Sequence, residues 1–205
     1  MSSFSTSLKR NTPARECLFA VIDFETTGAV AGYPVEPWQI GIVTVDHGQV
    51  QAGSFFESLM QIGDRPFNPR APGRHALIRR ELKLAPAPGE LWPEIATWLG
   101  CRALAAHNTG TERAVLGRLA PLHRLGPWVD TLHLTRRSYP AFASKALECV
   151  VAELHLAGRV AALCPGRAAH DALYDACACA VLLEHYLALP GWENVTLGAL
   201  AGKCR

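Results

Sequence analysis

Asp23, Glu25 and Asp175 stand where apolar segments would otherwise run on unbroken. Asp23 and Glu25 close the run Cys17 to Ile22 (CLFAVI) and are spaced i, i+2. In an extended chain that spacing puts both carboxylates on one face, ~7 Å apart. Such a pair is comfortable either at a solvated strand end or around a hard divalent cation with oxygen ligands. Asp175 interrupts Ala172 to Leu183 (ALYDACACAVLL) and shares a helix face with Ala172, Ala178, Cys179 and Leu182. A carboxylate buried there without a partner is costly, so it calls for a basic residue or a metal.

Two further residues depend on their surroundings for a role. His170 lies five positions before Asp175. It is either a helix-start residue ahead of the N-cap Asp171 or, through its place beside Asp175, a base that titrates near neutral pH. Glu112 fits a capping box in Thr109-Gly110-Thr111-Glu112, with the Glu reaching back to the cap residue. It is also the only acid between Glu94 and Asp130, so a site that needs a third carboxylate from this region has no other choice.

The elements that must position these groups can be read from periodicity. Cys17 to Ile22 is a strand buried on both faces. Ile40 to Val45 and Gln49 to Leu59 are two more, joined as a hairpin by Asp46-His47-Gly48. Gly63 to Gly73, with Pro66, Pro69 and Pro72, is a loop. Helices are expected over Leu91 to Leu99, Thr111 to Leu122 (with Val115, Leu119 and Leu122 on its apolar face), Lys145 to Leu156 and Ala172 to Leu187. Ala103 to Ala106 and Trp128-Val129 are short strands. The order predicts one α/β domain with a mixed sheet, preceded by a flexible arm over residues 1–16 and followed by a tail over 190–205.

With 205 residues and 49% apolar composition, the chain can bury a real core and is not a disordered one. The net charge of +2 neither demands nor forbids nucleic acid. Seven cysteines without a C-x-x-C pair point to buried reduced thiols and a cytoplasmic location rather than a disulfide framework or zinc site. No window approaches the ~18 apolar residues of a membrane span, so no membrane partner is expected.

Three segments, in order, resemble the DEDDh 3′→5′ exonucleases, a superfamily that includes the proofreading epsilon subunit of bacterial DNA polymerase III and ribonuclease T. Val21-Ile22-Asp23-Phe24-Glu25-Thr26-Thr27-Gly28 is similar to D-x-E-T-T-G, followed by Gln39-Ile40-Gly41-Ile42-Val43 like the family's second strand. Ala105-Ala106-His107-Asn108-Thr109-Gly110-Thr111-Glu112 stands where the family reads A-H-N-x-x-F-D, and Asp130-Thr131-Leu132 matches D-T-L. His170-Asp171-Ala172-Leu173-Tyr174-Asp175-Ala176 matches H-x-A-x-x-D-A, the h-type spacing.

The resemblance implies a ribonuclease-H-like fold of about five strands, the first three an antiparallel meander, flanked by helices over residues 17–189. It implies two divalent cations, Mg²⁺ or Mn²⁺: Asp23 bridging, Glu25 and Asp175 completing the tighter site, Glu112 near the second. His170 would deprotonate the attacking water. Thr26, Thr27 and Gly28 would contact the terminal nucleotide, and His107 and Asn108 would line the same pocket or brace its floor, Asn108 equally by bonding the loop backbone, with Asp130 in a structural or supporting role. Read by themselves, Arg136, Arg137 and Lys145 either follow a phosphate backbone or form a solvated basic face. The expected substrate is the 3′ end of single-stranded or frayed nucleic acid, DNA favoured over RNA. A separate DNA polymerase subunit or a second copy of the chain is the expected protein partner. The alternative is an inactive nucleic-acid-binding or polymerase-accessory module that kept the fold. Two departures stand out: Glu112 replaces Asp, and Thr111 replaces the usual aromatic.

Overall fold

The computed structural model of the chain describes residues 9–71, 73 and 78–202. Five strands form one sheet: β1 (Phe19–Thr26), β2 (Pro37–Asp46), β3 (Gln49–Leu59), β4 (Ala103–Ala106) and β5 (Trp128–Asp130), in the order β3-β2-β1-β4-β5. β1, β2 and β3 form an antiparallel meander, while β4 and β5 join parallel to β1. The β2–β3 hairpin turns on His47 and Gly48, both at positive φ (47° and 70°), the conformation a two-residue turn needs to follow the strand twist.

Side-chain alternation divides the core. Ala20, Ile22 and Phe24 of β1 face α2 (Pro88–Leu99) and α3 (Gly110–Leu119), with Leu91, Ile95, Val115 and Leu116 completing that layer. Phe19 and Val21 face the opposite layer, built on α7 (Ala172–Leu187), with α5 (Leu147–Glu153) and α6 (Ala157–Leu163) behind it. Strand periodicity therefore aims Asp23 and Glu25 at α7. α7 is buried almost all round and packs on β1, β2 and β3.

Several local expectations change. α3 stops at Leu119, before Pro121, so Leu122 is not on a buried face but 94% exposed. The helix expected over Lys145 to Leu156 is shorter, Leu147–Glu153, and His155 just beyond it adopts φ 55°, the left-handed conformation at which many helices end. Three further helices, α1 (Arg79–Leu84), α4 (Thr131–Ser138) and α6, lie in segments not read as helical, and α8 (Leu197–Leu200) forms the packed turn in the tail. Residues 10–16, expected to belong to a flexible arm, are held against the tail: Pro13 bridges Thr196, and Ala14 and Leu197 are fully buried. Residues 1–8, 203–205 and Pro72 of the expected arm, tail and loop lie outside the described residues. No helix among the described residues is long and apolar enough to cross a membrane.

Candidate active site

The acids are gathered by one close approach of backbone to backbone. Gly41 of β2 stands opposite Asp23, and a Cβ on it would lie 2.3 Å from the carbonyl oxygen of Ala172 and 2.5 Å from the Cα of Leu173. The first turn of α7 rests on that bare stretch of strand, and Asp175 follows on the same side as Asp23. Gln39, two residues earlier on β2 and opposite Glu25, fixes the helix start: its amide donates to Asp171 Oδ2 (3.3 Å) and its carbonyl accepts from Ala172 N–H (3.3 Å). Asp171 caps α7 by accepting from Tyr174 N–H at 3.2 Å. Arg167 donates to Asp171 at 2.8 Å and bidentately to Glu57 at 2.6 and 2.7 Å. Burial would raise the Asp171 carboxyl, but the hydrogen bonds from Arg167, Tyr174 N–H and Gln39 hold it below its ordinary value.

Among the described residues, no Lys or Arg side chain pairs with Asp23, Glu25, Glu112 or Asp175. Burial, then the charges of Asp175, Glu112, Glu25 and Asp171, pushes Asp23 well above the usual carboxylate range. Glu25 is raised to about 7, first by burial and then by Asp175 and Asp171. Asp175 is raised to about 6 by burial, opposed by the His170 N–H that donates to its Oδ2 at 2.9 Å. His170 makes this bond from a left-handed backbone (φ 67°), and its ring is exposed. Donor atoms of Glu25, His170 and Asp175 all lie within 4.8 Å of one another.

Glu112 joins this group from α3. It is 3% exposed, and burial raises it to about 7 against the backbone N–H groups of Phe24 and Glu112 itself. Its Oε2 is buried without a hydrogen-bond partner, a situation that costs ~1–3 kcal/mol unless something fills it. The capping box is not formed: Thr109 N–H donates instead to Asp130 Oδ2 at 3.3 Å. Asp130 also takes Asn108 N–H (3.0 Å) and caps α4 through Leu132 N–H (2.9 Å) and His133 N–H (3.3 Å).

The donor set is therefore four carboxylates, one of them with an orphaned buried oxygen, and one imidazole, with the strongest charges on Asp23 all acidic. Hard divalent cations suit such a set, and the residues present fit them.

The expected substrate residues divide. Thr26 and Gly28 stay half-exposed at the end of β1, with Thr26 held by Trp38 Nε1–H on its carbonyl (3.1 Å) and Gly28 at φ 68°. Thr27 is 2% exposed, and its backbone and hydroxyl both bond Glu36. His107 has both ring nitrogens engaged internally, with Thr131 Oγ1 (2.9 Å) and the Lys145 carbonyl (2.8 Å), so it braces the loop. Asn108 is exposed at φ 72°. Arg136 and Arg137 are exposed, whereas Lys145 donates to the carbonyls of Pro140 and Phe142.

Gln39, Arg167 and Asp130 acquire their roles only in three dimensions. Gly73 is a further neighbour: a Cβ there would lie 3.5 Å from Glu25 Oε2 and 3.3 Å from the His170 carbonyl. Gln39 and Gly41 lie in the segment that resembles the family's second strand, and their period-2 spacing matches that of Glu25 and Asp23, which they pair with.

A mixed sheet in this order with an acidic centre on its middle strand defines a ribonuclease-H-like fold. The chain belongs to the RNase_T exonuclease family, whose model matches residues 20–183, and it carries the DEDDh pattern with Glu112 in the second-motif position. It is 28% identical over 198 residues to a DNA polymerase III subunit epsilon-like protein of Rhodobacter capsulatus, across 95% of this chain but 27% of that protein's length. Among solved structures it is similar to exonuclease X in complex with 5′ overhanging duplex DNA, at TM-score 0.67 and 26% identity over 90% of this chain and 99% of that one. The fold is shared with the nuclease domain of 3′hExo, a DEDDh family member bound to rAMP, at TM-score 0.66 and 13% identity over 85% and 93% of the two chains.

Proposed function

We propose that the chain is a metal-dependent 3′→5′ exonuclease that hydrolyses the terminal phosphodiester of single-stranded or frayed nucleic acid, with DNA favoured over RNA. The observation that carries this reading is the cluster of Asp23, Glu25, Glu112 and Asp175, which no Lys or Arg side chain pairs with among the described residues, together with the orphaned Oε2 of Glu112. Family membership makes a nuclease the reaction class. The preference for DNA rests on the likeness to exonuclease X, whose structure holds DNA, and to the epsilon-like relative.

Asp23, Glu25, Asp175 and Glu112 would hold two divalent cations, Mg²⁺ or Mn²⁺. Bound there, such ions supply a clamp on the attacking and leaving oxygens of an in-line displacement. His170 accepts the proton of the attacking water through an exposed ring whose backbone is tied to Asp175. The water oxygen bonds to phosphorus, the P–O3′ bond breaks, the O3′ of the shortened strand takes a proton from solvent, and a nucleoside 5′-monophosphate leaves. Thr26 and Gly28 line the strand end where the terminal nucleotide would sit, and the fixed left-handed turn at Gly28 presents backbone there. A separate DNA polymerase subunit is the partner the epsilon-like relative suggests.

The test is a 5′-labelled oligonucleotide, as DNA and as RNA, with Mg²⁺ or Mn²⁺. A ladder shortening from the 3′ end, abolished by EDTA and by Asp23→Ala, is expected. An intact oligonucleotide that is nevertheless bound would sink the reading in favour of an inactive module.

A further inference from the structure

Beside the acidic centre, a cleft of about 670 Å³ opens along α3 and the start of α4. Arg113, His123 and His133 line it, over a floor that includes Leu116, Leu125 and the half-buried indole of Trp128. None of Asp23, Glu25, Glu112, His170 or Asp175 is on its wall. Glu112 and Arg113 are consecutive on α3, about 100° apart around the helix, so the helix turns its acid to the catalytic cluster and its base to the cleft.

The unspent polar side chains in the cleft are donors. The guanidinium of Arg113 and the ring of His133 have no hydrogen-bond or ion-pair partner among the described residues. Arg10, also on the wall, spends its guanidinium on the carbonyls of Gly198 and Gly202. The one acid on the wall, Asp130, has its carboxylate filled by four backbone N–H groups, those of Asn108, Thr109, Leu132 and His133. Unspent donors above an apolar, aromatic floor are complementary to an anion that carries a flat apolar ring.

We propose that this cleft is a second nucleic-acid subsite, which takes a phosphate on Arg113 and His133 and the adjoining base against Trp128. It rests on the exonuclease reading for the identity of the strand. The subsite lengthens the enzyme's grip on its substrate beyond the terminal nucleotide.

Arg113→Ala and His133→Ala test it against two substrates: a single-stranded oligonucleotide long enough to span both sites, and thymidine 5′-(p-nitrophenyl phosphate), which reaches the acidic centre alone. Each variant should raise KM for the oligonucleotide about tenfold and leave kcat/KM for the nitrophenyl ester unchanged. In EDTA, fluorescence anisotropy with the same oligonucleotide should show weaker binding by Arg113→Ala and a log K against log salt slope shallower by about 1. Unchanged anisotropy, or an equal loss on both substrates, overturns the subsite. If the parent protein cleaves neither substrate, the exonuclease reading fails, and the EDTA anisotropy alone decides the subsite.

Discussion

Gly41 and Ala172 are in contact through their backbones: a Cβ at position 41 would sit 2.3 Å from the Ala172 carbonyl oxygen. That is inside any real carbon–oxygen contact, and the neighbour is helix backbone rather than a flexible side chain. The absence of a side chain on β2 is thus what lets α7 lie close enough for Asp175 to face Asp23.

Gly41→Ala should therefore force the start of α7 off the sheet. Overpacking of this kind costs ~1–3 kcal/mol, seen as a lower Tm. Activity should fall by more than stability alone accounts for, because a displacement of ~1 Å at a catalytic group costs about 100-fold. The check is kcat at a temperature where circular dichroism shows the variant fully folded. Parent-like turnover would mean that the acids are gathered by something other than this contact.

Without metal, the carboxyl groups make stability depend on pH in an unusual direction. Glu25 and Glu112 are raised to about 7 and Asp175 to about 6, against ~4 in an unfolded chain. The folded protein therefore holds protons that the unfolded chain releases. Their contribution is fully present below pH ~4 and is lost as pH rises through 6 to 7. In EDTA, Tm should fall by roughly 5–10 °C from pH 5 to pH 8. Mg²⁺ or Mn²⁺ should restore it, most strongly at pH 8, since ion binding must displace those protons. Differential scanning calorimetry of parent and Asp23→Asn protein checks both signs, the variant giving a flatter profile. A Tm in EDTA that is level between pH 5 and 8 would contradict the cluster's electrostatics.

Glu112 separates capping from chemistry. With Asp130 taking the Thr109 N–H, Glu112→Gln removes no cap and relieves a buried charge, so the metal-free variant should be as stable as the parent at pH 8 or more so. Its turnover should nevertheless drop about 100-fold or more, as expected when a metal-facing carboxylate becomes an amide. Glu112→Asp, which restores the family's usual residue with one methylene fewer, should stay within about tenfold of the parent. Parent-like rates for Glu112→Gln would remove Glu112 from the site.

The sequence shows the strand end at Asp23-Phe24-Glu25 and the helix that carries Asp175 plainly, because each breaks a strong apolar period with a charge. Glu112 is ambiguous by construction: a capping box and a ligand at the start of α3 require the same spacing. What separates them is Asp130, 22 positions away from Asn108 and joined to it only by the parallel pairing of β4 and β5. α4 escapes a periodicity reading because Thr131–Ser138 is short and polar, and its start is marked by Asp130 alone. His107 looks like a pocket residue by motif, yet its ring is consumed by Thr131 and the Lys145 carbonyl, partners that no local pattern reveals. The packing of residues 10–16 on the tail is equally invisible to local patterns, since Pro13 and Thr196 meet from opposite ends of the chain.

His170→Asn distinguishes a base from a ligand. The substitution keeps what the backbone does here: Asn tolerates the left-handed conformation at φ 67°, and the N–H to Asp175 Oδ2 survives because it is main chain. Only the imidazole is lost. If the ring acts as the general base, kcat should fall by about 10²–10⁴ while Mn²⁺ affinity, measured calorimetrically, stays within about threefold. The ring atoms also lie within 4.8 Å of the donor oxygens of Glu25 and Asp175, so the opposite outcome is structurally available. A loss of Mn²⁺ affinity that parallels the loss of kcat would make His170 a ligand of the metal and move the base elsewhere.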